Sequence, residues 1–217
     1  MMEDIGGVPV WYQSLVLDEL RNRLTARGFH AIILDSLEEI RDFIEKTIPP
    51  GKTVGLGGSV TIREAGIDVL LKSRGNTVFD HWDPDKSAAE KNDIRKKELT
   101  ADYFLTGINA VTKDGEMVNI DGVGNRVAAM IFGPGHVIAV IGYNKITGTL
   151  DEAIWRIKNV ASPKNCKRLN LNTPCAKTGR CMDCNPAISV CRITSILSYK
   201  PMLTEFTVIL TPLELGY

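Results

Sequence analysis

Short apolar strands alternate with corners of glycine, asparagine and aspartate between Phe104 and Lys145, and this stretch constrains the fold more than any other. Glycine lets the backbone adopt positive φ and approach a ligand closely. Asparagine and aspartate tolerate the same geometry and add hydrogen-bonding groups. Each corner alone could be no more than a tight turn. Several of them in one stretch favour a binding site where strands end, which is where open α/β sheets hold their ligands.

Strand and helix patterns alternate along most of the chain. Apolar runs near residues 30–34, 52–56, 76–79, 103–105, 137–141 and 204–210 are typical of strands, and the capped or amphipathic segments between them predict helices. The alternation favours an α/β fold with a mainly parallel sheet and helices on both faces. The length suits one domain over residues 1–217. Residues 163–193 hold all five cysteines and lack the alternating strand and helix patterns, so they predict a cysteine-rich loop appended within that domain.

Charge and hydropathy exclude several classes of partner. The 26 basic and 26 acidic side chains cancel, and no basic stripe suggests nucleic acid. The densest charge run, Lys91 to Glu98, is mixed in sign and typical of a solvated helix face. No apolar run approaches the ~20 residues that span a membrane, and the beginning of the sequence lacks a secretion signal. A cytoplasmic protein is therefore expected, with cysteines that are reduced, metal-bound or redox-active.

A glycine loop, Gly55 to Ser59, joins a strand to a predicted helix. Thr61-Ile62-Arg63-Glu64 fits a capping box, so one continuous helix is expected to begin there. Unpaired backbone N–H groups and the helix dipole make such a turn an anion site, to which the Ser59 and Thr61 hydroxyls could add hydrogen bonds. The loop is neither a Walker A motif nor a dinucleotide motif, because Val60 stands where the third glycine belongs. Close packing with a simple helix cap is the alternative.

A second corner is built around Asp121, which follows a strand and precedes two glycines and a helix. Its carboxylate could be a general base, a nucleophile or a helix cap. Arg126 could clamp a carboxylate or phosphate in two-pronged geometry. Both loops follow strands that the pattern places in parallel units, so both are expected at one sheet edge. His81, beside Trp82, is the one histidine predicted to be a plausible catalytic group.

Together these loops give a set of candidate site residues. The candidate catalytic acids are Asp121 and Glu64, and the candidate ligand-binding residues are Gly57, Gly58, Ser59, Thr61, Asn109, Asn119, Gly122, Gly124, Asn125 and Arg126.

The five cysteines follow the spacing C-x8-C-x5-C-x2-C-x6-C. Thiolates bind soft and borderline metals, and a C-x2-C pair is a chelating unit. Structural zinc sites usually have two close pairs, whereas iron–sulfur clusters can add widely spaced thiolates to one pair. The sequence therefore predicts an iron–sulfur cluster or zinc, and it gives no firm basis for predicting a nucleotide cofactor. A set of reduced, partly buried thiols is the alternative. The candidate ligands are Cys166, Cys175, Cys181, Cys184 and Cys191.

Four segments resemble the LUD-domain family: residues 55–66 (GLGGSVTIREAG), 104–146, 150–163 (LDEAIWRIKNVASP) and 173–185 (TPCAKTGRCMDCN). That family includes a subunit of bacterial lactate-utilisation operons. The resemblance implies a fold like that of the ribose-5-phosphate isomerase, glucosamine-phosphate deaminase and CoA-transferase group, which binds ligands at glycine-rich strand ends beside an acidic residue. By position Asp121 matches that acid, although CoA-transferases use glutamate as the nucleophile. Because the resemblance implies redox partner subunits, it favours an iron–sulfur cluster over a zinc ion.

Three hypotheses for function follow. The resemblance and the cysteines imply a component of lactate (2-hydroxy acid) utilisation that works with iron–sulfur oxidoreductase subunits. The glycine loops alone favour a stand-alone enzyme on a small phosphate, carboxylate or acyl-CoA ligand, with Asp121 as base. The third hypothesis is a non-catalytic, metal-dependent sensor or scaffold. All three expect a small anionic ligand or a metal and leave homo-oligomerisation open.

Overall fold

The computed structural model describes residues 7–217. The expected absence of a secretion signal rests partly on residues 1–6, which lie outside the described residues. The strands are β1 (His30–Ile33), β2 (Thr53–Leu56), β3 (Thr77–Asp80), β4 (Tyr103–Gly107), β5 (Ala110–Thr112), β6 (Met117–Asp121), β7 (His136–Gly142), β8 (Ile146–Thr147), β9 (Ile193–Leu197) and β10 (Glu205–Thr211). No helix in this range is long and apolar enough to cross a membrane.

The helices are α1 (Gly7–Ala26), α2 (Leu37–Thr47), α3 (Val60–Glu64), α4 (Ile67–Ser73), α5 (Ala88–Glu98), α6 (Asn125–Ile131), α7 (Leu150–Arg156), α8 (Ser162–Arg168) and α9 (Pro174–Thr178). A 3-10 turn at Tyr143–Lys145 precedes β8, and a π-helical turn at Ile157–Ala161 joins α7 to α8.

Six parallel strands form the main sheet, in the order β1-β10-β7-β4-β2-β3. Both faces are buried, as alternate residues of the central strand β7 show. Val137 and Ile141 pack into a core with α1 and α6, whereas Ile138 and Val140 pack into a second core with α2, α3 and α4. This arrangement confirms the expected α/β fold with helices on both faces of a parallel sheet.

A second, four-stranded sheet has the order β8-β5-β6-β9. A hairpin folds β6 back onto β5, with Gly115 at φ +91° in the turn. Strand β6 is therefore antiparallel to β5. It is also antiparallel to β9, a pairing that the sequence patterns did not predict. The expectation that Asp121 ends a strand in a parallel unit is wrong, because the hairpin reverses the chain before it.

The helix after the glycine loop begins earlier than predicted. Ser59 is its N-cap, and the Ser59 hydroxyl accepts from the Ile62 N–H at 3.3 Å. Thr61 lies inside the first turn and is buried, so the predicted capping box at Thr61 is wrong. The chain also leaves the helical conformation at Gly66, with φ +70°, and α4 starts anew after it. The single helix expected here is thus two helices.

The cysteine segment is only partly loop. Helix α8 carries a proline at its start, and so does α9, where proline fits because its missing N–H has no helical partner. Gly179 ends α9 with φ +75°. Residues 169–173 and the backbone from Gly179 up to β9 are irregular, so the expected loop over residues 163–193 is interrupted by α8 and α9.

Candidate functional site

A cavity of about 560 Å³ lies at the carboxyl ends of β2 and β4 and at the end of β6. The structure brings most of the predicted site residues to its wall, namely Gly57, Gly58, Ser59, Thr61, Asn109, Asp121, Gly122, Asn125 and Arg126, together with Cys191. The predicted residues that do not line it are Glu64, Asn119, Gly124, Cys166, Cys175, Cys181 and Cys184. Both glycine-rich corners thus open on one cavity, although they belong to different sheets.

Three polar groups converge at Gly107, the last residue of β4. A Cβ atom there would lie 2.8 Å from Ser59 Oγ, 2.9 Å from Thr61 Oγ1 and 3.3 Å from Lys145 Nζ. The absence of a side chain is what lets these groups approach one another. Lys145 Nζ donates to Thr61 Oγ1 at 2.6 Å, so the cluster is already hydrogen-bonded.

Lys145 is the site residue that sequence reasoning missed. It is 2% exposed and ends the 3-10 turn Tyr143–Lys145, and its place in the corner after the buried strand β7 was the only sequence signal for it. Burial lowers the pKa of Lys145 to about 7, and the nearby Arg156 and Arg126 add to the effect while Glu64 opposes it. The neutral amine of Lys145 is therefore favoured far more than that of an exposed lysine.

His81 and Glu98 form a buried pair at the opposite side of the glycine loop. His81 Nδ1 lies 2.6 Å from Glu98 Oε1, and Glu98 is fully buried. Glu98 Oε2 accepts from Asn125 Nδ2 at 3.1 Å, so Asn125 orients the carboxylate. His81 Nε2 faces the loop, 2.9 Å from where a Cβ of Gly58 would stand. A carboxylate that holds Nδ1–H leaves Nε2 free to accept a proton, which is the arrangement of a general base.

The Asp121 carboxylate is engaged on both oxygens. Oδ1 accepts from Arg126 Nε at 2.8 Å and also contacts Arg126 Nη2, while Oδ2 accepts from the Val127 N–H at 3.1 Å. Arg126 Nη2 further donates to Asn109 Oδ1 at 2.8 Å. These contacts suit a residue that positions Arg126 and caps α6. The role of Asp121 as a base stays a prediction.

Two asparagine side chains tie the sheets together. Asn119 Oδ1 accepts from the Asn109 N–H, and Asn109 Oδ1 accepts from the Ile120 N–H, both at 3.0 Å. Asn119 is fully buried behind the cavity wall, where it holds the end of β6. Glu64 also stands outside the wall, and its carboxylate accepts from the Gly216 N–H at 2.5 Å.

The cavity is strongly cationic. Its wall has one carboxylate, Asp121, and five basic side chains: Lys91, Arg95, Arg126, Lys145 and Arg168. Within residues 7–217, only Arg126 of these five has a carboxylate at ion-pairing distance.

Two of these basic side chains, Arg95 and Arg168, differ in their surroundings. Arg95 Nε is buried without a hydrogen-bond partner in the described part of the chain. Arg168 stacks 4.0 Å above the Trp82 ring and donates to the Tyr217 hydroxyl at 2.7 Å. The interpretation of Lys91 to Glu98 as a solvated face holds only in part. Asn92, Asp93, Lys96 and Lys97 are exposed, whereas Glu98 is buried and Lys91 and Arg95 line the cavity.

The five thiols share one neighbourhood without forming a closed ligand set. Burial raises the pKa of Cys166 to about 11, and the adjacent Cys175 and Cys191 thiols contribute. The pKa of Cys184 is raised by burial and by Cys175 and Cys181. In the described residues, no three His, Cys, Asp or Glu side chains are placed to hold a metal ion. Cys191 alone reaches the cavity wall.

Comparisons with known proteins agree with this fold. The model of the LUD domain family matches residues 17–211. The crystal structure of a DUF162 family protein from Deinococcus radiodurans is similar with a TM-score of 0.52 at 17% identity, over 92% of this chain and 98% of that one. A search of curated proteins found no match. The structural likeness supports the α/β fold alone, whereas the family match covers most of the chain. The chain belongs to the LUD domain family.

Proposed function

We propose that the cavity is the active site of an enzyme that acts on a small, multiply charged anion, with phosphate or carboxylate groups. The observation that carries the proposal is the set of four basic side chains in the wall with no carboxylate partner among residues 7–217. Of these four, Lys145 is buried, Lys91 and Arg95 are half-buried, and Arg168 is exposed. Arg95 Nε is itself buried without a hydrogen-bond partner among the described residues, which is costly unless a ligand accepts from it. An anion would supply the missing partners. The volume of about 560 Å³ is that of a small-molecule pocket.

The chemistry of the proposed enzyme is proton transfer by His81. Its imidazole is oriented by the buried Glu98 and aims Nε2 at the glycine loop, where a bound anion would accept from Ser59 and backbone N–H groups. We therefore assign the general base to His81 and not to Asp121, because both oxygens of Asp121 already accept hydrogen bonds, from Arg126 and from the Val127 N–H at the start of α6.

Anion binding tests the proposal directly. Pyrophosphate and citrate are expected to bind the protein in titration calorimetry, and Arg168→Gln is expected to weaken binding about 10- to 100-fold. A hydrogen bond to a charged group contributes about 1.5–3 kcal/mol, which corresponds to that range. Arg23→Gln, on the exposed face of α1, is the matched control and should bind as the parent does. Equal affinity of the Arg168 and Arg23 variants would contradict the proposal.

We also propose, as a second candidate, that the protein takes part in cytoplasmic lactate (2-hydroxy acid) utilisation with iron–sulfur oxidoreductase partners. Two observations support this role. The chain belongs to the LUD domain family, and Cys191 places the cysteine segment in the cavity wall. Five thiols are the right donors for an iron–sulfur cluster or zinc. Their present positions are not those of bound ligands, so metal binding would have to draw the irregular loop together.

Metal analysis tests the second candidate. Protein isolated without oxygen is expected to hold iron, or zinc, at about one equivalent or more, and Cys181→Ser should remove most of it because this residue belongs to the chelating pair. Met182→Leu, at the exposed position between the paired cysteines, is the control and should keep the metal. Protein with neither metal and with all five thiols titratable in the folded state would refute the metal site.

A further inference from the structure

We propose that Lys145 forms an imine with the carbonyl group of an anionic substrate, a 2-oxo acid or a phosphorylated aldehyde or ketone. The inference rests on the proposed function, since it places this substrate in the cationic cavity. It adds a covalent step and a substrate class to that function.

The surroundings of Lys145 are not those of a structural lysine. Within residues 7–217 no carboxylate lies at ion-pairing distance from Nζ, and the hydrogen bond to Thr61 Oγ1 is to a neutral hydroxyl. Nζ is buried and lies in the cavity wall. It stands 3.3 Å from where a Cβ of Gly107 or of Gly216 would be. The missing side chains let Thr61 and the two glycines pack closely around the amine, and a small carbonyl compound would reach it from the cavity that Lys145 lines.

The electrostatics of the site favour a neutral amine. Arg126 and Arg156 face Lys145 with positive charge, and Glu64 is the opposing acidic group. Burial and these cations lower the pKa of Lys145 to about 7, so the nucleophilic form is abundant at neutral pH. A lysine that served only to anchor an anion would gain from staying charged. Here Lys91, Arg95 and Arg168 supply the anchoring charge, which leaves the lysine for nucleophilic chemistry.

The step balances without an oxidant or reductant. The nitrogen lone pair attacks the carbonyl carbon, and the carbonyl π bond breaks toward oxygen. Both amine hydrogens leave with that oxygen as water, and a C=N bond joins Nζ to the substrate. The resulting imine withdraws electrons from the neighbouring carbon, so a base can remove a proton from it. His81 Nε2, on the other side of the glycine loop, is the base that the cavity offers.

Reductive trapping tests the imine. The full-length protein is incubated with pyruvate, or in a parallel arm with glycolaldehyde phosphate, and reduced with cyanoborohydride before peptide mass mapping. At least one probe is expected to label Lys145 preferentially, with a mass gain equal to the probe less one oxygen. Labelling should rise between pH 6 and pH 8 with a midpoint near 7, because the neutral amine appears as pH passes the lowered pKa. The arm that labels identifies a 2-oxo acid or a phosphorylated carbonyl compound.

Control variants separate this step from the rest of the site. Lys97→Met, on the exposed side of α5, should label as the parent does, and Lys145→Arg should take no label. Label spread evenly over surface lysines in the parent, or no label at Lys145 with either probe, would overturn the inference. Retained pyrophosphate binding in that case would leave the anion site standing, whereas loss of all anion binding would remove the proposed function as well.

Discussion

Replacing Asp121 by alanine is expected to lower the free energy of unfolding by about 3–5 kcal/mol, the range seen when one partner of a buried ion pair is removed. The Arg126 side chain is 14% exposed and that of Asp121 7%, so the guanidinium would keep its burial and lose its carboxylate. The Val127 N–H at the start of α6 would lose its acceptor too. Urea unfolding followed by circular dichroism measures the change. Asp18→Ala breaks an exposed ion pair on α1 and should cost no more than about 1 kcal/mol.

Asp121→Asn distinguishes the two roles of this residue. The amide oxygen can still accept from the Val127 N–H, so the loss of stability should be smaller than in the alanine variant. A positioning role predicts that stability and anion affinity fall together along the series Asp, Asn, Ala. A base would instead lose turnover in the asparagine variant while stability and affinity stay close to the parent. A cost below about 1 kcal/mol for Asp121→Ala would show that the pair with Arg126 does not stabilise the fold.

Gly107→Ala is expected to reduce pyrophosphate affinity about 100-fold, which is the scale of effect caused by misplacing binding groups by about 1 Å. The new Cβ would stand 2.8 Å from Ser59 Oγ and 2.9 Å from Thr61 Oγ1, so the hydroxyls must move away from the cavity. Titration calorimetry with pyrophosphate gives the measurement, and the same variant should lose the label at Lys145.

The control for this variant separates loss of stability from loss of the site. Gly66→Ala introduces a side chain at φ +70° with nothing within 4 Å, at a cost of about 1–2 kcal/mol from backbone strain alone. Its pyrophosphate affinity should equal that of the parent. Equal losses of affinity in the two variants would mean that Gly107 acts through stability and does not shape the site.

The main sheet could be predicted from sequence because its signals are local. Each of its strands is a short, largely apolar run closed by glycine, aspartate or proline, and such runs indicate buried parallel strands. Strand β9 could not be found this way. Its five residues, Ile193 to Leu197, alternate weakly, and they become a strand by pairing with β6, some seventy residues earlier in the chain. Pairing over that separation leaves no local pattern.

The residues of the site likewise fall into those with a local sequence signal and those without one. The loops at Gly57 and Asp121 were predicted because glycine-rich turns after strands are visible in the sequence itself. Glu98 was interpreted as part of a solvated helix face, since its neighbours are charged and its burial depends on where α5 packs. The sequence around Lys145 does not distinguish it from other lysines that follow a strand. Its special surroundings come from Thr61 and Gly107, which only the fold brings next to it. Residues whose chemistry comes from their tertiary neighbours carry no signal of their own.

The joining of two sheets at one cavity has a consequence for how such a protein can diversify. The cradle around Gly57 and Gly107 belongs to the parallel sheet, whereas the wall around Asp121 belongs to the small mixed sheet. The side-chain oxygens of Asn109 and Asn119 accept from backbone N–H groups and hold the two together. Substitutions in the small sheet are therefore expected to alter the Asp121 side of the cavity and to leave the side around Gly57 and Gly107 in place.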